Sequence, residues 1–498
     1  MNSLIPRGWL AISLFLVSLL VFHAFTISYQ SYFIDEIEEL HLAQGDLWKS
    51  VFMPDSMPPV FTLSLRGWLT VLGDSMDPRW LSALVGAIST LLVFVFIRAI
   101  SEDRTALISA ALFAFSPLQL YYAQLIRGYA LMTCMSVLCI GFFLLAIKSP
   151  KRTPLVAYTI VSIVGMYVHY YFAMIPIALF FAWIYQRRFE RFSQIATCYV
   201  AMFVFTCPVL IFLVEDFKYQ HNLREPRPMS LSAVVYTYFS YFSGYALGPS
   251  QRELQYIGSS AAIRSAIPWL LAVVAIASPL AFRGIHALRR QGFVVSILSV
   301  LTVPLVLIGL AGLLSGITYN VRFVAWFAFP LSVLFAYAFL AERDRPVPRW
   351  ALVCGVALLG IFGFANFNRV FNARYQFEDS RAAAKYLDEH RAQGEPVYFV
   401  SDYMLQPLAH YLTDATENLF ELPQPGTRSR VIKDAASVAE AMHVVETTSS
   451  AKRAWLVYSR PFHGDPQGLL LNEFQQRGAT LSHSFAGIDL YVLPPVAR

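Results

Sequence analysis

Gly8-Trp9-Leu10-Ala11-Ile12-Ser13-Leu14-Phe15-Leu16-Val17-Ser18-Leu19-Leu20-Val21-Phe22-His23-Ala24-Phe25-Thr26-Ile27-Ser28 is an apolar run that follows a single Arg7 and passes into the acidic stretch Asp35-Glu36-Ile37-Glu38-Glu39. Its length matches the roughly 20 residues an α-helix needs to span a bilayer. No small-residue cleavage site follows it, so it reads as an anchor, with a cleaved signal peptide the weaker reading. Similar runs recur at 79–100, 104–120, 127–147, 154–171, 172–186, 193–214, 262–282, 292–314, 322–341 and 350–368. About eleven spans are therefore expected. The chain is 57% hydrophobic and 14% charged, with a mean hydropathy of +0.52. That lies far from the roughly 25% charged residues of soluble domains, and most of the chain belongs in a bilayer.

Charge placement gives the expected orientation. Arg7, Arg98, Arg104, Lys148, Lys151, Arg152, Arg187, Arg188, Arg191, Arg283, Arg289, Arg290, Arg343, Arg345 and Arg349 all fall in alternate, short connections. By the positive-inside rule these connections face the cytoplasm. The net charge of +6 is thus a topology signal, and no nucleic-acid partner is expected. Cys134, Cys139, Cys198, Cys207 and Cys354 lie within apolar runs, which offers neither a disulfide framework nor zinc-ligand spacing.

The opposite side carries two long segments, 29–78 and 215–261, and everything after the last span. Residues 1–368 are read as a membrane domain and 369–498 as a small extracytoplasmic α/β domain. In the latter, strand-like runs Val397–Ser401, Ala454–Tyr458 and Asp489–Leu493 alternate with helix-like runs near 380–392, 404–413, 434–446 and 467–477. It contains no G-x-G-x-x-G or P-loop, so nothing in it argues for nucleotide binding.

Segment 29–78 concentrates Asp35, Glu36, Glu38, Glu39, Asp46, Asp55, Asp74 and Asp77 directly after the first span. Two readings of Asp35 are open. It can N-cap a short interfacial helix whose dipole favours the glutamates behind it, or it can act as a general base that takes a proton from an incoming hydroxyl. Pro58–Leu72 is amphipathic and suited to lie along the interface. The outer turn Ser116-Pro117-Leu118-Gln119-Leu120-Tyr121-Tyr122-Ala123-Gln124-Leu125-Ile126-Arg127-Gly128-Tyr129 sets Arg127 at the edge of apolar sequence. There a guanidinium either snorkels to headgroups or clamps a phosphate through its fixed donors. Arg322, after Thr318-Tyr319-Asn320-Val321, poses the same choice. His169, in Tyr167-Val168-His169-Tyr170-Tyr171, is either an aromatic-belt residue or a site residue.

Taken in order, these elements resemble the membrane-embedded GT-C glycosyltransferases, in particular the bacterial branch related to aminoarabinose transferase and protein O-mannosyltransferase. The elements are the acidic pair after the first span, Pro58-Pro59-Val60-Phe61-Thr62-Leu63, the Ser116-Pro117 turn ending in Gln124 and Arg127–Tyr129, the His-Tyr of the fifth span, and Tyr319-Asn320-Val321-Arg322-Phe323. Arg374-Tyr375 with Glu378-Asp379-Ser380-Arg381 is similar to the entry into the outer domain of such proteins. The resemblance covers roughly residues 8–341. It implies that Asp35 is the base with Glu36 as second member of the acidic pair, and that Arg127 and Arg322 hold a donor phosphate. Tyr122, Gln124, Tyr129, His169 and Tyr319 are further substrate-binding candidates. Two positions depart from the pattern: Leu125 stands where an acidic residue is usual, and Met57 where a His usually precedes the double proline.

The implied enzyme moves a hexosyl or pentosyl group from a polyprenyl-phosphate donor to a glycan, lipid or protein acceptor. It would sit as a multi-pass protein in the inner or plasma membrane, in contact with lipid, with its site facing outward to the periplasm and the cell envelope. The chemistry suits that layout. Phosphate is a good leaving group, so one carboxylate and charge neutralisation suffice for a single inverting displacement. No cofactor or metal is required, though a divalent metal is compatible. The competing readings are a transporter or flippase, which should show repeated halves and ionisable groups near mid-membrane, and a non-catalytic subunit of glycan assembly.

Overall fold

The computed structural model describes residues 7–52, 57–187, 189–223, 229–256, 259–315, 319–340, 346–400, 402–413, 418–423, 431–449 and 452–495. The chain forms two units. The first comprises Met1–Ile27, Glu39–Gly248 and Ile263–Arg369, the second Ser28–Glu38, Pro249–Ala262 and Val370–Arg498.

The first unit is helical. Among the described residues seven helices are long and apolar enough to cross a membrane: Gly8–Thr26, Arg79–Ile100, Tyr129–Lys148, Phe192–Leu210, Ala261–Arg290, Val294–Leu314 and Arg349–Phe371. The other expected spans fall on shorter apolar helices, Asp103–Phe115, Thr153–Met166, Tyr170–Tyr185 and Val321–Tyr337. The run 104–120 is not one span. Ser116 accepts a hydrogen bond from the Gln119 amide and Pro117 follows it, an N-cap and first-turn proline that end one helix and start the next, Pro117–Tyr122. The long segments are also largely helical. They hold Ile34–Gln44, Leu47–Phe52, Val60–Leu72 and Leu231–Ser243, and the helix beginning at Phe192 continues to Leu223.

Arg79–Ile100 packs along both Asp103–Phe115 and Tyr129–Lys148. Gly141 makes the second contact possible: a Cβ there would come within 2.5 Å of the Phe96 ring, and small residues are what allow membrane helices to approach closely. Around this core the outer helices present Phe25, Phe203, Leu314 and Val356, all well exposed. Such apolar surface suits contact with lipid. Val60–Leu72 is tied to the fifth-span region by the Val60 amide, which donates to the Tyr167 carbonyl at 3.3 Å.

The second unit is built on a five-stranded sheet in the order β2-β1-β3-β5-β4, with β1 Val397–Phe399, β2 Leu419–Glu421, β3 Ala454–Tyr458, β4 Thr480–Phe485 and β5 Ile488–Leu493. β2, β1 and β3 run parallel, while β5 and β4 are antiparallel additions. Successive β3 residues face opposite cores. Ala454 and Leu456 pack with Met442, Val445, Leu470 and Phe474, and Trp455 and Val457 pack with Ala383, Leu387, Met404 and Leu408. Helices thus cover both faces, which is why the central strands are continuous apolar runs.

Candidate functional site

The helix Ile34–Gln44 begins differently from the expected arrangement. Asp35 is not its N-cap. Asp35 lies inside the first turn, and the Phe33 amide donates instead to the Glu36 carboxylate at 2.9 Å. That is the back-reaching half of a capping box, in which the third helical residue satisfies the amide that precedes the helix. Glu36 is fully buried in this role, and Asp35 is half-buried. The cap is therefore separate from Asp35, whose carboxylate is not required for it.

The stretch before this helix is clasped within the second unit by the Glu378-Asp379-Ser380-Arg381 motif. Asp379 accepts from the Ser31 hydroxyl at 2.9 Å while it N-caps Ser380–His390. Arg381 donates to the Ser28 carbonyl at 2.9 Å, and the Tyr32 amide donates to the Tyr411 hydroxyl. Glu378 takes a bidentate pair from Arg460 at 2.9 and 3.1 Å. The Arg460 guanidinium lies 4.8 Å from the centre of the Phe33 ring. Burial alone would lower the Arg460 pKa, but Glu378 and then Asp35 outweigh it and raise it. Arg460 is also one of few non-glycine residues with positive φ, +48°. Left-handed backbone costs about 1–3 kcal/mol and persists where the surroundings hold it. Nothing in the sequence around Ser459-Arg460-Pro461 signals this residue.

In the first unit Arg127 is buried and donates to Glu39 at 3.1 Å. The Thr62 hydroxyl donates to the other Glu39 oxygen at 2.5 Å. Glu39 stands four residues after Asp35, so one face of the helix carries both. Arg127 is therefore not a snorkelling side chain: 4% exposed, it is held by a carboxylate that the sequence reading counted only as part of an acidic cluster.

Most of the remaining candidates join one aromatic tract. The Tyr122 and Tyr245 hydroxyls are 3.0 Å apart. Tyr122 packs on Tyr129, Tyr129 on His169, and His169 on Phe323, with ring centres 5.0, 5.8 and 6.3 Å apart. Phe323 stacks on Tyr171 at 4.1 Å, and the Arg322 guanidinium lies 5.9 Å from the Phe323 ring. Tyr319 reaches the tract through Phe323 and bonds the Thr237 hydroxyl at 2.6 Å. His169 Nδ1 accepts from the Tyr171 amide at 3.2 Å, which leaves the neutral ring's proton on Nε2. Tyr245, absent from the sequence candidates, adopts φ +65° directly after Gly244 at +49°. A Cβ at Gly244 would strike Pro117 at 2.6 Å. Gln124 takes no part in this tract; its amide nitrogen donates to the Thr26 hydroxyl at 2.7 Å and contacts His23 Nδ1 at 3.0 Å. Among the described residues no group of three or more His, Cys, Asp or Glu side chains is arranged to hold a metal ion.

The architecture is that of a polytopic α-helical membrane protein with a small α/β domain. Residues 56–212 match the sequence model of the dolichyl-phosphate-mannose-protein mannosyltransferase family. A search of curated proteins finds no match by sequence. Among solved structures, the chain is similar to ArnT from Cupriavidus metallidurans in the apo state, at 13% identity and a TM-score of 0.58, with 98% of each chain covered. It is similar to the same protein bound to undecaprenyl phosphate, at 14% identity and a TM-score of 0.55 over the same shares. The Archaeoglobus fulgidus oligosaccharyltransferase in complex with Zn and sulfate aligns at 14% identity and a TM-score of 0.50, covering 87% of this chain and 64% of that one. The chain thus has the GT-C fold of these solved structures, and its residues 56–212 resemble the protein mannosyltransferase family.

Breaking a buried ion pair leaves an uncompensated charge and typically costs about 3–5 kcal/mol, whereas neutralising both partners costs less. Glu39→Gln is expected to lower the thermal midpoint of the detergent-solubilised protein sharply, and Glu39→Gln with Arg127→Gln to recover part of the loss. A double variant no more stable than the single one would separate the two side chains energetically.

Proposed function

We propose that the protein is an integral-membrane glycosyltransferase that moves a sugar from a polyprenyl-phosphate donor to an acceptor hydroxyl on the outer face of the membrane, with inversion. The observation that carries the reading is the helix Ile34–Gln44, which sets an uncapping carboxylate, Asp35, directly after the first membrane helix of a GT-C fold. The family match and the solved ArnT complex with undecaprenyl phosphate support a lipid-linked donor.

In this mechanism the acceptor oxygen attacks the anomeric carbon as its proton passes to Asp35. The bond between that carbon and the phosphate oxygen breaks with its electron pair, and polyprenyl phosphate leaves. General-base help of this kind contributes about 10²–10⁴-fold. Arg127 and Arg322 neutralise the leaving phosphate, and the aromatic tract gives the sugar stacking faces and hydroxyl partners. Glu36 serves as the helix cap. Arg460 acts on Asp35 as a positioning residue, through Phe33 and Glu378.

Incubating the purified protein with a panel of hexosyl and pentosyl polyprenyl phosphates, and following release of the lipid phosphate, tests the activity. Asp35→Asn is expected to lower turnover about 10²–10⁴-fold with donor affinity and thermal midpoint little changed. Glu36→Gln keeps an accepting oxygen and should lose far less. An Asp35→Asn protein with normal turnover would overturn the mechanism.

For Arg460, loss of the cation beside Asp35 should raise the carboxyl's pKa. Arg460→Gln is expected to move the acid limb of the kcat/KM profile upward, and Arg460→Lys to restore most of it. An unmoved limb would reduce Arg460 to a packing role.

Orientation is testable by cysteine labelling. The exposed residues Gln393 and Gln291 lie on opposite sides if the basic loops are cytoplasmic. Gln393→Cys should react with an impermeant thiol reagent in intact cells, above the parent's background, and Gln291→Cys only after lysis. The opposite pattern would invert the topology.

A further inference from the structure

At the end of the helix Tyr129–Lys148 remote from Tyr129, a half-enclosed cavity of about 410 Å³ opens within the first unit. Its inner wall is Phe143, Leu155, Trp183 and Ile195, each at most 5% exposed. No charged group lines this part. Charge appears only in the segments that close the cavity, as Lys148, Glu190 and Arg191.

The two cations there are not equivalent. Arg191 donates to the Ala146, Ser149, Pro150 and Lys151 carbonyls at 2.8 to 3.3 Å. It is spent on the C-terminal end of Tyr129–Lys148, where helix carbonyls lack partners. Lys148 is exposed and gives the Ile100 carbonyl a bond at 3.1 Å. An ammonium has three donors, so Lys148 keeps capacity for a ligand. Exposed Lys151 and Arg152 follow it, against a single lining carboxylate, Glu190. The field at the opening is positive.

The surroundings decide what enters. Phe181, Ile184 and Phe192, which bracket Trp183 in sequence, are each at least 40% exposed. Such apolar surface beside the opening belongs to the lipid phase. A polar solute would find no hydrogen-bond partners along the inner wall, which suits a lipid tail.

We propose that this cavity binds an anionic phospholipid, with an acyl chain against Phe143, Leu155, Trp183 and Ile195 and the phosphate at Lys148. Basic pockets between membrane helices on the positive side of a bundle suit such headgroups. The site is separate from the aromatic tract and independent of the transferase reading.

Trp183 is the reporter. The full-length protein in mild detergent is titrated with brominated phosphatidylglycerol or brominated phosphatidylcholine, and the Trp183 contribution is taken as wild type minus Trp183→Phe. The anionic lipid is expected to quench Trp183 at a roughly fivefold lower concentration than the zwitterionic one, the preference that one Lys at a membrane surface gives. Lys148→Gln should remove that preference. Ala146→Leu, which narrows the cavity, should weaken quenching by both lipids at an unchanged thermal midpoint. Inorganic phosphate should not displace the lipid. Equal quenching by both lipids, a preference retained in Lys148→Gln, undiminished quenching in Ala146→Leu, or displacement by phosphate would each overturn the proposal.

Discussion

A carboxylate at the edge of a bilayer cannot be left alone: removed from water without a partner it is too costly to keep ionised. The helix Ile34–Gln44 meets that constraint residue by residue. Glu36 is occupied by the amide ahead of the helix, and Glu39 by Arg127 and Thr62. Asp35 alone combines partial exposure with the electrostatic influence of Arg460, itself fixed by Glu378. Acidic residues that look interchangeable in sequence thus receive different tasks from their partners. Arg127 and Thr62 hold Glu39 in the first unit, and Glu378 fixes Arg460 over Phe33 in the second.

The membrane helices were legible because their signal is local. Apolar length and alternate basic loops survive in any single sequence, and even the shorter helices fall where apolar runs were read. The parallel strands β1 and β3 were legible for the same reason, being continuous buried runs. β2 is three half-buried residues, and β4 is an edge strand of alternating polar residues with a register shift at Leu481–His483. Neither has a pattern that stands out from a loop. The run 104–120 overlapped the outer turn read from Ser116-Pro117 onward, and the Ser116 cap ends that helix at Phe115.

The candidate site was legible in parts. His169 and Arg322 were named from their place at outer span edges, and Tyr122, Tyr129 and Tyr319 through the resemblance; their side chains share one tract. Their common geometry depends on Phe323, which closes the quoted Tyr319–Phe323 motif, and on Tyr245, which no spacing rule connects to them. Gln124 was named with them, yet its amide is turned to His23 and Thr26. Arg460 was invisible because its importance lies in what it touches, and those partners are distant in sequence.

The clasp on residues 28–33 also orders events during synthesis. Ser31 meets Asp379 across 348 residues, and Ser28 meets Arg381 across 353. The stretch leading into the acidic helix is therefore made well before the residues that hold it. Until the final quarter of the chain has been made and folded, Phe33 has no Arg460 above it and the Tyr32 amide has no hydroxyl to receive it. A chain truncated before residue 370 lacks each of these partners. The entry to the acidic helix is in this sense completed by residues about 350 positions later in the sequence.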